Sequence, residues 1–279
     1  MPDCWKQCPT AWLEAATLLQ AAVCTRAQMV RSASVWRFLT VDGVEKVNTS
    51  SLPLLSWCTV DSNGKLVSAL NVLAQAEAGP DMRFATEDAL PMFYGQLLGW
   101  LAGVGADGAD VLQNALQRLV TCWCSGGPWD THVSLCWWHA VLKLCLQTYA
   151  SAATKDDGLG EQGLAWFSLI IWSSVSTFEA NQAYAELLDW VTEHPSGNTD
   201  TFMVFLTTAW GRRAKLMLCA RADSPVGDTK GTYNEVYNYT IKSWIGPKGA
   251  AGLAILARAL QASSQAAVSN CGDLELPSL

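Results

Sequence analysis

Residues 55–70 read LSWCTVDSNGKLVSAL, and the Asn63-Gly64 pair at their centre is the strongest local signal in the chain. Two central residues at positive φ make the tightest hairpin turn, and Asn-Gly accommodates them at least cost. Trp57, Cys58, Thr59 and Val60 on one side and Leu66 and Val67 on the other supply strand-forming residues. Just upstream, residues 34–50, SVWRFLTVDGVEKVNTS, set similar residues around Asp42-Gly43. Together the two stretches predict two hairpins between residues 35 and 68.

On both sides the period changes to that of a helix. Residues 11–30, AWLEAATLLQAAVCTRAQMV, are rich in alanine and leucine, with apolar residues at helical spacing. Downstream, helices are predicted over residues 65–77, 86–101, 109–122, 131–152, 163–193 with a break near Phe178, 201–221, 232–244 and 250–269. Their stops are turn clusters such as AEAGPD, GVGADGAD, SGGPWD, EHPSGNTD and DSPVGDTKG. Asp110, Asp130 and Asp200 stand where helix N-caps would stand. No fixed-period repeat and no interdomain linker is visible. The expected fold class is therefore mainly α. It is a bundle-like single domain over 1–279 with an N-terminal helix or arm (1–34), a small antiparallel β-hairpin insert (35–68), a helical core (69–268) and a C-terminal tail (269–279).

Composition narrows the function. The chain has 279 residues, half of them apolar, but only 15% charged residues and as many as 14 tryptophans. Such a chain has little polar surface to spare, which points to partners covering part of it. The two longest charge-free runs, 89–106 and 162–178, are interrupted by Pro91 and four glycines and by four serines, and no Lys/Arg cluster flanks either. No membrane span is expected. Asp3 and Glu14 are out of place in a secretory leader, so a cytosolic setting with reduced cysteines is expected, and the Asn48 and Asn238 acceptor motifs lose their meaning there.

The densest chemistry lies in residues 121–139, TCWCSGGPWDTHVSLCWWH. Cys122, Cys124, Cys136 and His139 are zinc-ligand types, but one residue between the first two thiols aims them apart, and the set reads as core thiols. A nucleophilic cysteine with His132 or His139 and Asp130 lacks any protease signature, and Asp130 is explained as an N-cap. His194 sits at a helix end that favours a cation-capable side chain. Asp156, Asp157 and Glu161 fall in a glycine-broken loop, unlike a magnesium-binding helix. No phosphate-binding P-loop, no G-x-G-x-x-G after a predicted strand and no H-E-x-x-H motif is read. No cofactor and no catalytic residue is expected.

Charge is unevenly placed. Residues 75–200 carry fifteen acidic and four basic residues, whereas 201–279 carry five and eight. Two acid-free tracts hold the cations Arg26, Arg31 and Arg37, and Arg212, Arg213, Lys215 and Arg221. On a continuous helix Arg212 and Lys215 would share an edge and could meet phosphates, despite a net charge of −7. The expected function is a self-assembling structural protein of the viral coat or nucleocapsid kind, a large homo-oligomer that packages RNA or other single-stranded nucleic acid along an Arg-lined groove, in the virion or host cytoplasm. The alternative is an all-α enzyme or a small soluble binding module without a recognisable catalytic motif.

Overall fold

The computed structural model describes residues 10–14, 21–44, 52–60, 66–76, 79–107, 109–136, 138–145, 159–217, 219–221, 238–239 and 241–243. Among these residues, seven strands form one mixed sheet: β1 (Thr10–Glu14), β2 (Ala21–Thr25), β3 (Phe38–Val44), β4 (Leu54–Val60), β5 (Leu66–Leu73), β6 (Gly103–Ala106) and β7 (His132–Leu135). Their order is β1-β2-β5-β4-β3-β6-β7, with β3, β6 and β7 mutually parallel and the other neighbours antiparallel. The expected helical bundle with a small hairpin insert is thus overturned. The protein is an α/β fold built around a mixed sheet.

Burial explains why the sheet reads so poorly in the sequence. Every β4 residue from Leu54 to Thr59 is buried, so neither face carries the polar half of an alternating pattern. β5 is hidden in the same way, and residues 65–77, expected as a helix, instead supply this strand. The N-terminal helix expected over 11–30 gives way to β1, β2 and only then α1 (Arg26–Ser34). Ala22 is fully buried opposite Val72, and this pairing overrides the helical preference of its neighbours. Asp42-Gly43 makes no turn: both residues lie inside β3, opposite Ser56 and Leu55. The Asn63-Gly64 turn itself lies outside the described residues, but it joins β4 and β5, which pair antiparallel as that signal requires.

Helices cover the sheet. α2 (Gly79–Arg83) runs through a π-helical stretch, Phe84–Ala89, into α3 (Leu90–Tyr94) and a 3-10 stretch, Gly95–Trp100. α4 (Asp110–Leu119) continues as a π-helical turn, Val120–Cys124, and crosses over from β6 to its parallel neighbour β7. Together with α1 these helices bury Leu39, Val41, Leu55, Trp57, Leu70 and Val72 on one face. On the other face Asn238 donates from Nδ2 to Asp42 Oδ2 at 2.9 Å. A second core forms beyond β7, where Leu135 meets α5 (Leu159–Ser173), α6 (Thr177–Glu193), α7 (Thr199–Trp210) and α8 (Arg213–Leu216). The break expected near Phe178 falls at Ser174–Ser176, where Ser176 caps α6 by accepting from the Glu179 amide at 3.2 Å. The helix expected over 131–152 begins instead as β7, so Asp130 precedes a strand and caps no helix. The helices expected around 232–244 and 250–269 and the tail 269–279 lie largely or wholly outside the described residues.

Several buried polar groups of the first core are paired with one another, while the indole N–H groups of Trp36 and Trp57 have no hydrogen-bond partner among the described residues. Tyr94 donates from its hydroxyl to the Ala69 carbonyl at 2.7 Å and lies 2.9 Å from Ser32 Oγ, while Trp36 stacks on its ring at 4.1 Å. Gln28 donates to Ser68 Oγ at 2.8 Å. Such a network fixes α1 and α3 against β5, since a slip would strand several polar groups in the core.

Candidate functional site

The two basic tracts are the nucleic-acid contacts that the sequence leads one to expect. The helix expected over 201–221 ends at Trp210, turns at Gly211–Arg212 and resumes only as the single turn of α8. Arg213 lies over the Trp210 ring at 5.2 Å and donates to the Trp210 carbonyl at 3.3 Å. Lys215 donates from Nζ to Gln113 Oε1 at 3.1 Å, and Gln113 in turn donates from Nε2 to the Asp107 carbonyl at 2.9 Å. Arg212 precedes α8, and Arg221 ends a 3-10 turn, Cys219–Arg221. The continuous helical edge expected for these four cations is therefore absent among the described residues. In the other tract, Arg26 and Arg31 belong to α1 and Arg37 opens the way into β3. Arg37 lies at the N-terminal end of the parallel strands, whereas Lys215 is tied through Gln113 to Asp107 just past the C-terminal end of β6. Arg37 and Lys215 thus stand at opposite ends of the parallel strands.

That C-terminal end is where open α/β sheets ordinarily receive a ligand. Residues 103–108, GVGADG, have the G-x-G-x-x-G form, but the run begins inside β6 instead of following it. The first two glycines lie within β6 rather than in the turn. A Cβ on Gly105 would come 2.9 Å from Ser134 Oγ and 3.0 Å from Phe38 Cζ, so this glycine serves packing. Among the described residues, the Asp107-Gln113-Lys215 hydrogen-bond chain lies at this end of β6.

The cysteine stretch resolves differently. Cys122 is exposed on the π-helical turn, while Cys124, two residues on, is buried, and burial pushes its thiol up to about 11. Cys136 is buried after β7 and His139 is half-buried in a π-helical turn, Trp138–Lys143. Among the described residues no three His, Cys, Asp or Glu side chains stand close enough together to hold a metal ion. A thiol held protonated is also a poor nucleophile, which weakens any pairing of Cys124 with Asp130. Asp156 and Asp157 lie outside the described residues; Glu161 is exposed in the first turn of α5. His194 closes α6, with Nδ1 2.9 Å from the Trp190 carbonyl and its ring stacked on Trp190 at 5.2 Å.

What this stretch does build is a cleft of about 510 Å³. One wall is the 3-10 stretch Gly95–Trp100; the other runs from Cys122 and Trp123 through the turn to Pro128. The walls meet backbone to backbone, since a Cβ on Gly127 would lie 1.8 Å from the Gly99 carbonyl oxygen. Gly126, at φ +87°, takes a turn that a side chain would oppose. On the rim Trp100 is 58% and Trp123 40% exposed. Close by, Arg37 lies over the Trp129 ring at 5.6 Å. Backbone bonds hold these pieces together: Ala102 donates to the Arg37 carbonyl at 2.7 Å, His132 to the Ala102 carbonyl at 3.2 Å, and Thr131 Oγ1 to the Leu101 carbonyl at 2.6 Å. Three indoles and one guanidinium thus gather at the N-terminal end of the parallel strands. In the sequence SGGPWD reads as a helix stop, and its paired glycines between tryptophans are the signal for this close backbone approach.

A second feature lies at the corner of α5 and α6. Val175 is 84% exposed, Phe178 78% and Leu169 62%. No helix among the described residues is long and apolar enough to cross a membrane. The fold and these two surfaces define an α/β protein with an aromatic cleft and an apolar corner. Comparison with protein families and with curated proteins finds no match to this chain.

Proposed function

We propose that this chain is a self-assembling structural protein of the coat or nucleocapsid kind, whose copies meet through the α5–α6 corner and package single-stranded nucleic acid. The supporting observation is the exposure of Val175 and Phe178 three residues apart, with Leu169 a short way back along the chain. Large apolar side chains clustered in water are uncommon on solitary proteins and ordinarily mark a contact surface. The cost of leaving them solvated is removed when a second copy covers them. Charge assists the same reading: residues 75–200 are strongly acidic and 201–279 mildly basic, so oppositely charged portions of two copies can attract one another.

Light scattering and electron microscopy of the purified protein test the proposal. Rings, shells or filaments are expected at micromolar concentration. Val175→Asp with Phe178→Asp should release species near the 30.2 kDa of one chain. A monodisperse single-chain species of the unaltered protein in low and high salt alike would overturn it.

A further inference from the structure

We infer that the cleft between Gly95–Trp100 and Cys122–Pro128 takes unpaired bases of a single-stranded nucleic acid, with Trp100 and Trp123 as stacking faces and Arg37, braced on Trp129, beside the adjoining phosphate. This deepens the nucleic-acid half of the function proposed above and moves the contact away from the basic helix. The cleft volume of about 510 Å³ suits a nucleotide or two and is far too small for a duplex. Its rim is aromatic: two indoles that would ordinarily be largely buried stand exposed on facing walls. Stacking on such faces tolerates any base sequence, because every base presents a flat ring.

The walls favour the same occupant. Gly95, Gly99, Gly126 and Gly127 leave the floor without side chains, so a flat ring can approach the backbone closely, and among the described residues no carboxylate lines the cleft. Arg37 is exposed, and the Trp129 ring beneath its guanidinium orients it without neutralising it. Asp130, beside Trp129, is the one acidic residue between Cys122 and His132. An oligoproline peptide could also lie on paired indoles, but it would make no use of the guanidinium.

Anisotropy of a fluorescein-labelled oligo(U) tests the inference, with the Val175→Asp/Phe178→Asp protein measured in parallel so that assembly and binding are read separately. Trp100→Ala and Trp123→Ala should each weaken binding by roughly 5- to 150-fold, while Trp100→Phe keeps most of it. Arg37→Ala should lower the salt slope of binding by about 0.7 unit. Both indoles are exposed, so these variants should keep the far-ultraviolet spectrum and melting temperature of the parent. Binding retained by the non-assembling protein supports the cleft even if assembly itself is never seen. The inference falls if the Trp100→Ala/Trp123→Ala double variant binds within twofold of the parent, if a duplex binds as tightly as the single strand, if the non-assembling protein loses all binding, or if oligoproline binds in the cleft while oligo(U) does not.

Discussion

A Cβ on Gly127 would stand 1.8 Å from the Gly99 carbonyl oxygen, whereas Gly197 has nothing within 4 Å of the same position. Gly127→Ala should therefore force the two cleft walls apart and destabilise the fold by about 2 to 3 kcal/mol, while Gly197→Ala should be near neutral; thermal or urea unfolding of the pair checks the contrast. The thiols differ as sharply. Cys122 is exposed while Cys24, Cys58 and Cys124 are buried, so brief alkylation followed by mass spectrometry should label Cys122 and spare those three. Equal labelling of Cys122 and Cys124 would contradict the placement of the π-helical turn. Burial pushes the Cys24 thiol to about 12 and the Cys124 and Cys145 thiols to about 11, from an ordinary 9.0. Below pH 9 these groups are protonated in both folded and unfolded chains, and stability is undiminished. Above it the unfolded chain ionises first, so each thiol should remove stability by up to about 1.4 kcal/mol per pH unit until its folded value is passed. Urea midpoints that stay level between pH 8 and about 10.5 would count against that burial.

Among the elements, α6 shows most plainly how local chemistry sets a boundary. Ser176 Oγ accepts from the Glu179 amide at 3.2 Å, and Glu179 Oε2 accepts from the Val175 amide at 2.8 Å, a reciprocal cap in which Glu179 also favours the positive end of the helix. Ser176→Ala should cost about 1 kcal/mol, read as a lower melting temperature, with Ser176→Asp restoring most of it. The cap also fixes where Val175 and Phe178 project. α5 meets α7 just as closely, for a Cβ on Gly163 would lie 2.5 Å from the Phe202 ring. By contrast, α7 stops at Trp210, so Arg212, Arg213 and Lys215 fall at and after the turn and Arg221 in a separate 3-10 turn, not along one long helix. The single edge expected from i, i+3 spacing is thereby confined to the one turn of α8.

For the whole molecule the prediction concerns association. If the acidic and basic portions meet between copies, raising salt should shrink the assemblies, because exposed charges are screened over about 8 to 10 Å near physiological ionic strength. If the apolar corner dominates, assembly should persist in salt and yield to Phe178→Asp. Sedimentation of the unaltered protein and of Phe178→Asp across a salt series separates the two contributions. Assembly unaffected by either change would place the contact elsewhere on the surface.

Sequence alone determined the elements whose signals are local. The helical period over 109–122 became α4 and its π-helical end, the break near Phe178 separates α5 from α6, and the turn cluster EHPSGNTD lies between α6 and α7. Asn63-Gly64 correctly implied that the strands on either side pair. Only the tertiary structure decided that there is a large sheet at all. β4 and β5 are buried on both faces and show no alternation, β2 is strand by virtue of pairing with β5, and β3 finds its parallel partner β6 far along the chain. The cleft was hidden for the same reason: Arg37 and Trp129 are distant in sequence and meet because backbone bonds at the start of three parallel strands draw the segments 37, 101–102 and 131–132 together. Short-range periodicity records which face of a segment is buried, and it is silent about segments buried all round or joined across long stretches of chain.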